Sequence, residues 1–205
     1  MGSGKDTFGD RFKKLYPDSV RLSFADPLRM ELSSFIYCLK EDIENVDKVF
    51  NVDKQDVYNI INIIGGEDFI DTVDIRYKDG KVRKLLQYWG NMRRKQDSLY
   101  WVKAMQENIK FNNGKDIYIT DTRFLNEMNM LKEIGATLIL LTSSEENRKQ
   151  RMLLRDGVVP TEEAMNDISE TECDLFKEYD YVVDTDNISL EEIEETLIYI
   201  LKKGE

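Results

Sequence analysis

The chain has 205 residues, 41% of them hydrophobic and 34% charged, which excludes a disordered polypeptide and allows one domain with a sizeable core, with or without a small insertion. It contains no histidine, so Ser/His/Asp and Cys/His nucleophilic sites and histidine-ligated zinc are excluded, and the available chemistry belongs to Lys, Arg, carboxylates, hydroxyls and a hard cation. The net charge of −11 is concentrated in residues 161–205, which carry 15 Asp/Glu against 3 Lys/Arg, whereas residues 1–160 are close to neutral; non-specific DNA binding is disfavoured, and the arginine clusters remain available to a small anion.

No apolar run reaches the length of a membrane span, and the N-terminus lacks a signal-sequence pattern, so no membrane association and a cytoplasmic location are expected. Cys38 and Cys173 lie far apart and form no metal-binding spacing, which predicts buried free thiols.

In chain order, the first feature is GSGKDT, Gly2 to Thr7. It reads as the second half of a phosphate-binding loop, a turn whose backbone N–H groups and lysine hold nucleotide phosphates at a helix N-terminus. The leading glycine of the full GxxxxGK[ST] pattern and its feeding strand would fall before residue 1, so the first strand is expected to be missing from the chain. The plainer alternative is a Gly/Ser turn that only caps a helix. DTFGDRFKKL follows, with Phe8, Phe12 and Leu15 on one helical face. SVRLSF is a short strand, and Asp26-Pro27 opens a helix that continues through MELSSFIYCL.

Residues 40–82 are acidic and irregular, with one apolar stretch, VYNIINII, that makes a homodimer plausible, and a hairpin signal at Asp79-Gly80. This segment reads as an insertion or substrate-binding subdomain of a single domain spanning residues 1–205. RKLLQYWGNMRRK and SLYWVKAMQENIKFN are helical in period. DIYIT is a compact buried strand ending at Asp121, FLNEMNMLKEIG an amphipathic helix, ATLILLT a strand, and SSEENRKQRMLLR a helix opened by serine. A loop-like stretch, DGVVPTEEAMNDIS, precedes a strand at DYVVDT and a closing helix at SLEEIEETLIYIL. Strands alternating with helices imply an α/β fold, a parallel sheet with helices on both faces and ligands beyond the carboxyl ends of the strands.

Several residues carry chemistry on this reading. Asp121, at the end of a strand, can hold Mg²⁺ or cap the next helix. Arg123 can meet a phosphate or pair with Glu127 four residues on. Arg148, Arg151 and Arg155 recur at helical spacing and can share one face, whose bland alternative is a solvated basic surface. Trp89 and Trp101 can stack a base but more often belong to a core.

SFADPLR, RKLLQYWGNMRR, YWVKAM and DTRFLNE followed by EIGATLILL resemble, in order and spacing, the deoxynucleoside monophosphate kinases of phages and bacteria; the loop itself resembles the GKGT form of nucleoside monophosphate kinases. The resemblance implies a P-loop NTPase fold of the nucleoside monophosphate kinase type and transfer of a phosphoryl group from ATP to a deoxynucleoside monophosphate (dNMP) with Mg²⁺, in the host cytoplasm if the gene is a phage's. It implies ATP contacts at Gly2, Ser3, Gly4, Lys5, Asp6, Thr7 and Arg148, with Thr7 and Asp121 toward the metal. Asp26, Arg29, Arg83, Gln87, Arg123 and Glu127 would serve the acceptor. Lys5, Arg151 and Arg155 would act on the transferring phosphoryl, the last two from a lid at about 148–170. Two alternatives stay open: a noncatalytic kinase-fold protein, and a kinase of another small acceptor such as dephospho-coenzyme A.

Overall fold

The computed structural model describes residues 2–76, 80–157 and 172–204. It divides into two units, Met1–Ser23 with Asn108–Glu205, and Phe24–Glu107.

The first unit carries every strand found among the described residues. Helix α1 (Lys5–Leu15) starts at Gly4, and β1 (Val20–Leu22) pairs in parallel with β2 (Ile117–Ile119). Helix α7 (Leu125–Glu133) leads to β3 (Ile139–Thr142), which pairs in parallel with β4 (Tyr181–Asp184); α8 (Glu145–Asp156) lies between them in sequence. The closing helix, α9, spans Leu190–Gly204. The α/β reading therefore holds, but the single parallel sheet expected from the sequence is divided, among the described residues, into the pairs β1-β2 and β3-β4.

Helix α1 lies across that division. Its Phe8 forms a buried cluster with Ile193 and Leu197 of α9, against which Leu141 of β3 and Val183 of β4 pack. On its other flank it approaches β2 closely: a Cβ on Gly9 would come within 2.7 Å of the Thr120 methyl, and the Phe12 ring lies 5.2 Å from that of Tyr118. Ion pairs from Arg11 and Lys14 to Glu194 bind α1 to α9. All three β2 residues are half-buried rather than buried as the sequence suggested, because among the described residues β2 has a ladder neighbour on one side only.

The second unit is helical. It contains α2 (Ala25–Glu41), α3 (Val46–Phe50), α4 (Lys54–Ile64), a 3₁₀ turn at Glu67–Thr72, α5 (Gly80–Gln96) and α6 (Tyr100–Phe111), whose last residues pass into the first unit. Leu32, Phe35 and Leu39 of α2, Ile60 and Ile64 of α4, and Val82, Leu85 and Trp89 of α5 form one core. The unit is broader than residues 40–82, since the flanking α2, α5 and α6 belong to it.

The hairpin expectation changes here, and two other readings meet this core. VYNIINII is α4, and Val57, Ile60, Ile61 and Ile64 are spent on this internal core, so the stretch gives no support to a homodimer. No hairpin forms on the far side of Asp79-Gly80. Residues 77–79 lie outside the described residues, and Gly80 begins α5, where Val82, Leu85 and Trp89 bury one face at helical spacing and override the turn signal. Trp89 and Trp101 are core residues, 0% and 3% exposed, so neither is placed to stack a base. Cys38 and Cys173 are thiols outside any disulfide, as read, but half-buried.

Candidate functional site

The GSGKDT segment folds as a turn running directly into a helix. Gly2 and Gly4 have φ of 74° and 85°, the left-handed region that side chains avoid, so the loop depends on glycine at both places. Gly4 is the N-cap of α1 and supplies no side-chain cap, and the Lys5 ammonium folds back to donate to Ser3 Oγ at 3.2 Å. A turn of this kind, ending at the positive end of an 11-residue helix, is a favourable environment for phosphate oxygens.

Asp6 and Thr7 follow in the first turn of α1. The Asp6 carboxylate is turned toward Arg21 of β1, whose Nη2 donates to Asp6 Oδ1 at 3.0 Å and to Thr120 Oγ1 at 2.8 Å. This explains an acid where a hydroxyl usually follows the lysine: it is neutralised by a cation from the neighbouring strand, and so does not oppose an anion.

Asp121 stands just beyond the carboxyl end of β2, and Ser23 beyond that of β1. Ser23 Oγ donates to Asp121 Oδ2 at 2.6 Å, which orients the carboxylate. Mg²⁺ bound with nucleotide needs only one or two protein oxygens, since phosphates and water complete its shell; the Asp121 carboxylate and the Thr7 hydroxyl are donors of that hard type. Among the described residues no group of three or more Cys, Asp or Glu is arranged to bind a metal unaided.

The DTRFLNE turn is built around Glu127. This side chain is 2% exposed, and its Oε2 accepts from the backbone N–H of Arg123 at 2.8 Å and of Phe124 at 3.2 Å. Glu127 thus holds the turn that carries Asp121 and Arg123, with Glu172 adding an acceptor for Leu125 N at 2.9 Å.

At the carboxyl ends of β3 and β4 lies a second polar cluster. Asp186 accepts from Ser143 Oγ at 2.6 Å and from Ser144 N, and the hydrogen bonds of Ser143, Asn147 and Ser144 hold its carboxyl well below the usual carboxylate range. Ser144 caps α8 by accepting from Asn147 N. Arg151 of α8 reaches Thr185, Ser143 and the Gly2 carbonyl. Arg148 backs the turn through its main chain, and its Nε is buried without a hydrogen-bond partner. Arg155 is exposed in the last turn of α8. The rest of the segment read as a lid, residues 158–170, lies outside the described residues.

Asp26, Arg29, Arg83 and Gln87 belong to the helical unit. Asp26 is exposed in the first turn of α2, and Arg29 donates to the Ile75 carbonyl at 3.3 Å. Arg83 and Gln87 are exposed on α5 at i and i+4 and share a face. That face continues to Arg94, which sequence reasoning passed over although RKLLQYWGNMRR displays it at helical register with both. Ser23 was likewise visible in SFADPLR. Thr185 and Asp186 carried no signal, because only the parallel β3-β4 pairing brings Thr185 to the glycine turn and Asp186 to Ser143 and Ser144.

The family model described as deoxynucleotide monophosphate kinase matches residues 18–193 of the chain. No curated protein matches the chain.

Proposed function

Because the chain belongs to the deoxynucleotide monophosphate kinase family, and is thereby a kinase, we propose that it transfers the terminal phosphoryl group of ATP to the phosphate of a dNMP. The acceptor oxygen is already ionised, so no general base is required; the protein's work is positioning and neutralisation of charge. The glycine turn with Lys5 holds the donor phosphates, and Arg148 lies beside it. Asp121, oriented by Ser23, and Thr7 would hold Mg²⁺, which would supply positive charge against the donor phosphates. Arg29, Arg83, Gln87 and Arg94 serve the acceptor, with Arg123 as a further cation near the metal carboxylate. The observation that carries this reading is the Gly2-Ser3-Gly4 turn, left-handed at both glycines, leading into α1 at Lys5, in one unit with an oriented carboxylate at a strand's carboxyl end.

The P-loop layout is part of the proposal, supported by the parallel β1-β2 and β3-β4 pairs and by α1, which packs against both. A noncatalytic kinase-fold protein would display the same layout, and activity separates the two readings.

Arg83→Ala tests the acceptor assignment. The expected result is a KM for dNMP raised about tenfold or more, with the KM for ATP unchanged, since removing one charged hydrogen bond to a phosphate is worth at least that factor. An unchanged KM for every dNMP would remove Arg83 from the acceptor site.

A further inference from the structure

Of the three arginines on α8, Arg151 has a distinct set of partners. Its Nη1 donates to Thr185 Oγ1 at 3.0 Å, to Ser143 Oγ at 3.3 Å and to the Gly2 carbonyl at 3.3 Å, and its Nη2 donates to the Thr185 carbonyl. One guanidinium therefore ties together the glycine turn, the end of β3 and the end of β4. Thr185 completes the arrangement: it is 3% exposed, and its hydroxyl lies 2.9 Å from the Thr142 carbonyl and 3.3 Å from that of Ser3. The turn rests on α8 itself, because a Cβ on Gly2 would come within 2.8 Å of the Arg148 carbonyl.

We infer that Arg151 is a positioning residue that clamps the Gly2-Ser3 turn to the ends of β3 and β4, and so shapes the phosphate cradle before nucleotide arrives. The inference rests on the kinase reading only for what the cradle holds. An arginine that closes over a transferring phosphoryl must exchange its resting partners for phosphate oxygens. Arg151 would have to release two strand ends and the turn to do so, and the turn would lose its anchor at the moment it is needed. The planar fork suits the clamp, since it addresses a carbonyl and a hydroxyl of Thr185 together. Lysine cannot reproduce that geometry even though it keeps the charge.

The test pairs Arg151→Lys with Thr185→Val, which removes the hydroxyl while leaving the arginine in place. In the ligand-free protein, ¹⁵N relaxation should show the order parameters of Ser3, Gly4 and Lys5 falling from a rigid value of about 0.85 to below about 0.6 in both variants. With ATP, both should raise the KM for ATP about tenfold with a smaller change in kcat, the pattern of a distorted binding turn. The opposite result overturns the clamp: order parameters unchanged in both variants, with Arg151→Lys lowering kcat about a hundredfold at constant KM, as expected for a group acting only in the transition state. The relaxation measurement needs no turnover. Loss of order in a protein that transfers no phosphate would therefore uphold the clamp while rejecting the kinase reading.

Discussion

Lys5→Ala is expected to lower phosphoryl transfer by about 10²- to 10³-fold, the usual cost of removing one preorganised donor from developing negative charge. The effect should fall mainly on kcat, because the ammonium follows the phosphate oxygens as charge redistributes, whereas the backbone N–H groups of the turn bind ground state and transition state alike. The fold should survive. Lys5 sits in the first turn of α1, where its ammonium donates to Ser3 Oγ, two residues away. A thermal melt close to that of the unsubstituted protein, together with the lost turnover, assigns the lysine to the donor phosphates. Unchanged turnover in a folded sample would detach the GSGKDT turn from catalysis.

The second large effect concerns stability. Glu31→Ala should cost about 3–5 kcal/mol, because it strands a buried guanidinium. Arg93 is 5% exposed and its Nε donates to Glu31 Oε1 at 2.8 Å, while Nη2 reaches the same carboxylate and the Phe50 carbonyl at 2.9 Å. Tyr100 OH donates to that carboxylate at 3.0 Å, and the guanidinium lies over the Trp89 and Tyr100 rings at 4.9 and 5.1 Å. One ion pair therefore joins α2, α3, α5 and α6. The double variant Glu31→Leu/Arg93→Met, which removes both charges and fills the space, should recover much of the loss. Urea unfolding of the single and double variants reads this directly. A cost under about 1 kcal/mol for Glu31→Ala would mean that the pair is screened like a surface salt bridge.

The sequence made the local elements legible because each has its own period. Val20–Leu22, Ile117–Ile119, Ile139–Thr142 and Tyr181–Asp184 are short apolar runs between helical segments, and all four are strands. Ser144 before two glutamates marked the start of α8, where its hydroxyl does cap the helix. The hairpin signal at Asp79-Gly80 misled because turn propensity is local, whereas Val82, Leu85 and Trp89 gain a shared core only as one face of a helix. The apolar run in α4 needs covering, and the helical unit covers its Val57, Ile60, Ile61 and Ile64.

The candidate site was legible where its residues adjoin in sequence, as in GSGKDT and in Asp121 with Arg123. Its supporting contacts were not. Arg21 and Asp6 meet only once β1 lies beside α1, Ser23 and Asp121 only through the β1-β2 pairing, and Arg151 and Thr185 only through β3-β4. Such partners carry no spacing that a linear reading can use. Glu127 shows the converse: its position invites a ligand role, yet it is buried and holds the turn that presents Asp121.

The central claim is phosphoryl transfer to a dNMP, and the most direct measurement follows label from [γ-³²P]ATP into product. Each of dAMP, dGMP, dCMP and dTMP would be supplied in turn with Mg²⁺. The account predicts labelled deoxynucleoside diphosphate from at least one acceptor, dependent on Mg²⁺ and lost on Lys5→Ala. No labelled diphosphate from any acceptor would contradict it.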